Sequence, residues 1–116
     1  MDDSTRYRML KLLHHQPELT QRELAREMGI SLGKTNFCLQ ALIKKGAIKA
    51  RNFRKAKNKT AYLYNLTPAG LEEKARVTKR FLTRKLAEYE EIQQQIAELE
   101  ADVAVMQAEP HSRGQM

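Results

Sequence analysis

The sequence predicts a mainly α-helical fold with one small β-hairpin, in the order helix, helix, helix, hairpin, long helix. Capping and stop residues divide residues 1–46 into three short helices, each with an apolar stripe. The hydrophobic period then changes to two over residues 48–66, which is typical of strands. No proline occurs between residues 69 and 107, so we expect a final helix of about 40 residues and about 60 Å.

The first helix is predicted to end before Pro17, and three residues are available as its N-cap: Asp2, Asp3 or Ser4. Its apolar side consists of Met9, Leu10, Leu12 and Leu13. His14 and His15 are interpreted as cations that favour a helix C-terminus. Adjacent helical residues point about 100° apart, so these two histidines are poorly placed to ligate one metal ion. No metal or other cofactor is therefore predicted.

The second helix carries strong start and stop signals. Thr20 is the predicted N-cap, and Glu23 stands three residues later, as a capping box requires. Gly29 ends the helix at a position that needs a left-handed backbone. The apolar stripe of this helix consists of Leu24, Ala25 and Met28.

The third helix is predicted over residues 32–45, capped by Ser31 and stopped by Gly46. Only three residues, 29–31, separate it from the second helix, so the joint fixes the angle between the two. Its inward stripe consists of Thr35, Cys38, Leu39, Leu42 and Ile43. Because Cys38 is the only cysteine and lies on this stripe, it is interpreted as a small core hydrophobe.

The hairpin is predicted from two alternating runs. Ile48 and Ala50 alternate with Lys49 and Arg51, and Tyr62, Tyr64 and Leu66 or their neighbours alternate again. The polar stretch between the runs, residues 54–59, is interpreted as the turn. A two-stranded hairpin is not stable alone, so it must pack on the helices.

The long helix is predicted to begin with Thr67 as N-cap and Pro68 in its first turn. Its far half has a heptad seam of six residues: Tyr89, Ile92, Ile96, Leu99, Val103 and Met106. Such a seam predicts a short coiled coil, and β-branched Ile96 and Val103 favour two strands. The alternative is a helix that folds back on its own domain. Charges beside the seam leave the orientation of pairing open.

The predicted domains are a domain of three helices and a hairpin over residues 1–70, a dimerising helix over 71–107 and a disordered tail over 108–116. Charge follows this division: residues 1–66 hold 14 Lys or Arg against 5 Asp or Glu, whereas residues 89–116 hold 1 against 6. A basic head predicts a polyanionic partner, although a generic basic surface is the alternative. Neither a signal peptide nor a membrane-length apolar run is found, so we expect a cytoplasmic, nucleoid-associated protein without membrane contact.

The second and third helices are the two helices of a helix-turn-helix, and the hairpin is its wing. The third helix is expected to enter the major groove of double-stranded DNA. Lys34 suits a phosphate, and Asn36 and Gln40 suit adenine edges. Phe37 suits a thymine methyl group, or else it is an aromatic of the core or of an interface. For the two amides the alternative is a solvated face. The predicted DNA-binding residues of this helix are Ser31, Gly33, Lys34, Asn36, Phe37 and Gln40.

The wing is predicted to contact phosphates or the minor groove through Arg51, Arg54, Lys55, Lys57 and Lys59. Five cations within nine residues, beside a helix of this kind, favour nucleic acid over a merely solvated loop.

The motifs "LTQRELAREMGIS", "LIKKGAIK" and "LTPAG" resemble winged-helix regulators of the MarR family. The segments "SLGKTNFCL", "KARNF" and "FLTRKLAEYE" resemble a short subgroup, the exopolysaccharide (EPS)-associated MarR-family regulators. The resemblance implies a transcriptional regulator linked to exopolysaccharide genes, with its recognition helix at residues 33–40 and its wing at residues 54–59. Larger members enclose an effector pocket between several terminal helices. This chain has one short and one long terminal helix, so a small-molecule effector is not expected.

We therefore interpret the chain as a homodimeric regulator that binds an inverted repeat. The second hypothesis is a winged-helix adaptor that binds another protein through its C-terminal helix. RNA is disfavoured because the A-form major groove does not admit a helix. An enzyme is disfavoured because no paired carboxylates, nucleophile–base arrangement or phosphate loop is found in the sequence.

Overall fold

A computed structural model describes residues 1–56 and 59–108, and the side chains of residues 53–61 lie outside that description. The elements are α1 (Asp3–His15), α2 (Gln21–Met28), α3 (Leu32–Lys44), β1 (Ile48–Ala56), β2 (Lys59–Leu66) and α4 (Pro68–Ala108). This order confirms the predicted fold class. The chain forms two compact units, Met1–Phe81 and Leu82–Met116. Most of the predicted tail, residues 109–116, lies outside the described residues.

The predicted helix starts are confirmed by their capping bonds. Asp2 is the N-cap of α1, and its carboxylate accepts a 2.7 Å hydrogen bond from the Thr5 backbone N–H. In the capping box of α2, the Glu23 N–H donates to Thr20 Oγ1 over 3.1 Å, and the Thr20 N–H donates to Glu23 Oε1 over 3.0 Å. Each bond satisfies a donor that the helix itself leaves unpaired.

Both predicted glycine stops adopt the left-handed backbone. Gly29 has φ +66° after α2, and Gly46 has φ +82° after α3. α3 ends at Lys44, one residue before the predicted end, because Lys45 acts as its C-cap. At the other end, Ser31 Oγ accepts a 3.0 Å hydrogen bond from the Lys34 N–H. The short joint between α2 and α3 is therefore closed by local bonds on both sides.

One apolar core lies between the helices and the base of the hairpin in the first unit. The large side chains that are fully buried include Met9, Leu10, Leu13, Leu24, Leu39, Leu42, Ile48 and Val77. Burial of each such side chain stabilises the fold by about 1.5–3 kcal/mol. Cys38 is 1% exposed and belongs to the same cluster, which confirms its core role.

The hairpin is antiparallel, with Ile48 opposite Leu66 and Arg54 opposite Thr60. The predicted turn at residues 54–59 was wrong in its limits, since β1 reaches Ala56 and β2 begins at Lys59. The ladder joins backbone groups, so polar side chains do not prevent it from extending. The hairpin packs on the helical part: Tyr64 is buried, and its N–H donates to the Pro17 carbonyl over 3.0 Å.

The start of α4 lies directly against the joint between α3 and β1. The Thr67 N–H donates to the Ala47 carbonyl over 3.0 Å, and Thr67 Oγ1 accepts from the Gly70 N–H over 3.0 Å. This confirms Thr67 as the predicted cap. A Cβ atom on Gly70 would lie 1.9 Å from the Ala47 carbonyl oxygen. The contact therefore requires glycine at position 70.

A buried carboxylate joins three elements of the first unit. Glu73 is 5% exposed, and its oxygens lie 2.7 Å from Arg76, 3.0 Å from Lys45 and 3.4 Å from Arg6. The pKa of Glu73 is lowered, first by the hydrogen bond from Arg76 and then by the one from Lys45. This site links α1, the C-cap of α3 and α4.

In the second unit the apolar stripe of α4 is exposed. The six predicted seam residues are between 46% and 62% exposed, and Leu82 and Leu86 continue the stripe at 57% and 54%. The coiled coil that this seam predicts stays a prediction.

Gly70→Ala is predicted to lower the free energy of unfolding by about 2–3 kcal/mol, because the added methyl group overlaps the Ala47 carbonyl. Urea titration followed by circular dichroism measures the loss. Gly33→Ala is the matched control: a Cβ there meets nothing within 4 Å, so its stability should stay equal or rise by up to about 1 kcal/mol. Equal stability for both variants would contradict the close approach.

Glu73→Gln is predicted to lower the free energy of unfolding at pH 7 by about 1–3 kcal/mol, because three cations lose their charged partner. Since the pKa of Glu73 is lowered in the folded state, its stabilisation is complete above the ordinary value of 4.5 and is lost as the pH falls through the lower folded value.

Titration of stability against pH in both proteins tests this. The difference between wild type and Glu73→Gln should shrink in acid, and exposed Glu72→Gln should stay within about 0.5 kcal/mol of wild type throughout. A difference that is constant with pH would show that the charge of Glu73 contributes nothing.

Candidate nucleic-acid interface

α3 has one face in the core and one face in solvent. Thr35, Cys38, Leu39 and Leu42 are buried, and the Thr35 hydroxyl donates to the Ser31 carbonyl over 2.9 Å. The exposed side chains lie three or four residues apart on the other face, as a helical period requires. The exposed residues of α3 and its N-cap include every one predicted to face a ligand: Ser31, Gly33, Lys34, Asn36, Phe37 and Gln40.

Two large apolar side chains also lie on the exposed face. Phe37 is 67% exposed, so the interpretation of Phe37 as a core aromatic was wrong. Leu32 is 42% exposed in the first turn, and the sequence analysis missed it. Its position four residues before Asn36 would have placed it on this face. Apolar groups beside amides are the combination that can contact both methyl groups and polar edges of bases.

The N-terminal end of the face is positive. Lys34 is exposed in the first turn of α3, where backbone amides have no carbonyl partner within the helix. The pKa of Asp2, the N-cap at the start of α1, is held below its usual value mainly by the hydrogen bond from the Thr5 N–H. The charge of Lys34 lowers it further, to a smaller extent. An anion placed at this end of α3 meets an ammonium group and a helix N-terminus together.

A chain of hydrogen bonds joins the exposed face to the wing. Asn36 Nδ2 donates to Gln21 Oε1 over 3.1 Å, and Gln21 Nε2 donates to the Tyr64 hydroxyl over 3.1 Å. Tyr64 is 4% exposed and lies on β2, so the chain ends on a fixed group. One amide hydrogen of Asn36 is thereby committed, and the orientation of its carboxamide is set.

Sequence analysis missed Gln21. It is the first residue of α2, fifteen positions before Asn36 and forty-three before Tyr64. No local pattern connects three residues at these separations. The crossing of α2 over α3 brings Gln21 to Asn36, and the packing of β2 against Pro17 brings Tyr64 to Gln21.

The wing residues are described in part. Arg51 is exposed on β1, and its Nη2 donates to Asn65 Oδ1 over 3.2 Å on the neighbouring strand. Arg54, Lys55 and Lys59 fall on the strands, but their side chains lie outside the described residues. Lys57 lies outside them entirely. The contact of these four cations with a ligand stays a prediction.

Within residues 1–56 and 59–108, no group of three or more His, Cys, Asp and Glu residues lies close enough together to hold a metal ion. The His14 and His15 rings stack with centroids 5.3 Å apart, and His14 Nδ1 lies 3.2 Å from the Lys74 ammonium. No helix of the described part of the chain has the length and apolar character to cross a membrane.

Residues 2–49 match the family model for winged helix-turn-helix DNA-binding domains. This match covers α1, α2 and α3, and the hairpin that follows supplies the wing. The fold of the first unit is thus a winged helix-turn-helix. No curated protein sequence matches the chain.

Solved structures share the fold. FabT of Streptococcus pneumoniae in complex with DNA is 20% identical with a TM-score of 0.54, over 72% of this chain and 56% of FabT. A MarR/EmrR family transcriptional regulator from Acinetobacter sp. ADP1 is 19% identical with a TM-score of 0.61, over 97% of this chain and 76% of its own. A mutant of S. aureus MepR bound to an oligodeoxyribonucleotide is 20% identical with a TM-score of 0.54, over 88% of this chain and 78% of its own.

The chain spans less than two thirds of the length of FabT. At identities near 20% these similarities establish the fold alone. The chain therefore shares its architecture with a MarR/EmrR family transcriptional regulator and with two proteins whose structures contain bound DNA.

Proposed function

We propose that this protein is a sequence-specific, double-stranded DNA-binding transcriptional regulator of the MarR type. The observation that carries the proposal is the exposed face of α3, which stands in solvent in a winged helix-turn-helix with amides, an ammonium group and apolar groups on it. Two proteins that share this fold have been solved in complex with DNA. A major groove about 12 Å wide admits such a helix.

The helix α3, Leu32–Lys44, acts as the recognition helix. Gln40 is exposed with both amide groups available within the described residues, and it lies one turn after Asn36, so the two can read neighbouring base pairs. Asn36 is held by Gln21, which lowers the entropy lost when it binds an adenine edge. Phe37 and Leu32 contact thymine methyl groups, and Lys34 binds a phosphate at the helix N-terminus.

The wing, residues 54–59, binds the DNA backbone or the adjacent minor groove. The support is the charge of Arg51, Arg54, Lys55, Lys57 and Lys59, which lie within nine residues of the hairpin. Because contacts with phosphates release condensed counterions, the affinity falls steeply as salt is added.

The protein acts as a homodimer through the exposed stripe of α4. Six seam residues, Tyr89, Ile92, Ile96, Leu99, Val103 and Met106, are about half exposed and follow a heptad period. Contiguous apolar surface of this kind marks an interaction site. A two-fold dimer binds an inverted repeat, since each copy reads one half-site.

The regulated genes are those for exopolysaccharide synthesis. This part of the proposal is supported by the resemblance of "SLGKTNFCL", "KARNF" and "FLTRKLAEYE" to the EPS-associated subgroup. A regulator of this type works beside the chromosome, in the cytoplasm.

Asn36→Ala and Gln40→Ala are predicted to lose about 1–3 kcal/mol of binding free energy on a duplex selected from a random pool, and to lose little on random duplex. Lys57→Ala is predicted to weaken binding to both duplexes alike, because Lys57 contacts phosphate. The slope of log affinity against log salt concentration should fall by about 1 in magnitude. Fluorescence anisotropy at several stated salt concentrations measures both effects.

Gln94→Ala is the matched control, since Gln94 is an exposed amide on α4 away from the seam. It should bind both duplexes as wild type does. Equal losses on both duplexes for Asn36→Ala and Lys57→Ala would contradict the proposed division between base and backbone contacts. Binding to heparin without binding to any duplex would favour the protein-interaction adaptor instead.

The selected site is predicted to be an inverted repeat with half-sites about 34–36 Å apart, or a multiple of that distance, because two recognition helices must meet the same side of the duplex. Hydroxyl-radical footprinting shows the spacing directly. A single asymmetric footprint at saturating protein would contradict a dimer on DNA.

A further inference from the structure

The charges along the end of α4 are separated by sign. Residues 79–85 contain four cations and no acid, and residues 86–108 contain six acids and no Lys or Arg. The exposed apolar stripe passes through both parts, from Leu82 to Met106. A second chain that lies on the stripe therefore meets a positive end and a negative end.

The acids at the far end have no cation of their own. Glu98, Glu100 and Asp102 are exposed, and none of them forms an ion pair with any residue that the structure describes. Nearer the positive end, Lys85 Nζ lies 3.1 Å from Glu88 Oε2. The negative end thus presents a surface that an added positive charge would complement.

We propose that two copies of this chain pair along residues 82–106 with their helices antiparallel, an inference that rests on the homodimer proposed above. With Gln94 at the centre, the seam positions meet in pairs: Leu82 meets Met106 of the second copy, Tyr89 meets Leu99, and Ile92 meets Ile96. Every seam position from residue 82 to residue 106 has a partner in this alignment. The seam residues alternate in steps of three and four along the chain, and this spacing is the same when the helix is reversed.

Charge decides between the two orientations. Lys85 falls on the same heptad position as Ile92 and Leu99. A parallel pair would place Lys85 against its own copy inside the seam, and would place Glu100 and Asp102 across from the uncharged Gln95 and Gln107 of the second copy. The antiparallel pair places Lys85 against Val103 of the second copy, next to Asp102. Like charges at such short range are destabilising, and opposite charges are favourable.

One contact in the antiparallel pair brings acids together. Glu88 lies across from Asp102 of the second copy, on the same flank of the seam. Glu88 is already paired with Lys85 of its own chain, so the ammonium group lies between the two carboxylates and offsets their repulsion. In the parallel pair no cation stands near Asp102.

Single cysteines in the full chain test the orientation. An equimolar mixture of Leu82→Cys and Met106→Cys chains is expected to form a mixed disulfide, since these positions meet. Val103→Cys alone is expected to form none, because its two copies lie about 27 Å apart along an antiparallel pair, far beyond the reach of a disulfide. The unsubstituted chain is the control for Cys38, which is 1% exposed.

A disulfide formed by Val103→Cys alone would show a parallel dimer: the orientation would be overturned and the proposed homodimer would stand. A wild-type chain that sediments as a monomer at all concentrations would overturn both. A mixed disulfide between Leu82→Cys and Met106→Cys, with a dimer in sedimentation, supports the antiparallel pair.

Charge exchange gives a second, independent readout. Lys85→Glu is expected to weaken dimerisation about fivefold, because two symmetric attractions are lost. Adding Asp102→Lys in the same chain should restore dimerisation, since a carboxylate at position 85 then faces an ammonium group at position 102 of the second copy. Failure of the double variant to recover would overturn the pairing of these two positions.

Discussion

The position of every exposed group on α3 depends on how the first turn of α4 packs against the joint that ends α3. The Ala47 carbonyl accepts from the Thr67 N–H, and the absence of a side chain at Gly70 lets the two backbones approach. Glu73, one turn further on, binds the C-cap residue Lys45 and also Arg6 of α1. The end of α3 is therefore fixed from α1 and from α4, while its start is fixed by the Ser31 cap. The recognition helix that we propose needs this rigidity, because its side chains must be held within about 0.5 Å of the geometry that meets base edges.

The parts of the structure that could be predicted from sequence are those decided within a few residues. The caps at Thr20, Ser31 and Thr67 and the glycines at 29 and 46 satisfy or end a helix locally, and each was found where the pattern placed it. The exposed and buried faces of α3 follow from its period alone.

The parts that could not be predicted join residues far apart in the chain. Glu73 has no local sequence feature that separates it from the other acids, yet it is a buried partner of three cations because α1 and the end of α3 converge on it. Gln21 had no feature that set it apart from other polar residues, and its role depends on the crossing of α2 over α3. The limits of the hairpin turn were missed for a different reason: strand pairing needs only backbone groups, whereas the polarity of residues 54–59 describes side chains.

The hydrogen-bonded chain from Asn36 through Gln21 to Tyr64 connects the exposed face of α3 to the strand β2. In the proposed complex with DNA, this chain couples the backbone contacts of the hairpin to the base contacts of Asn36. A duplex whose shape displaces the hairpin would then also change the restraint on the Asn36 carboxamide. Under this proposal the free-energy contributions of helix and wing need not add.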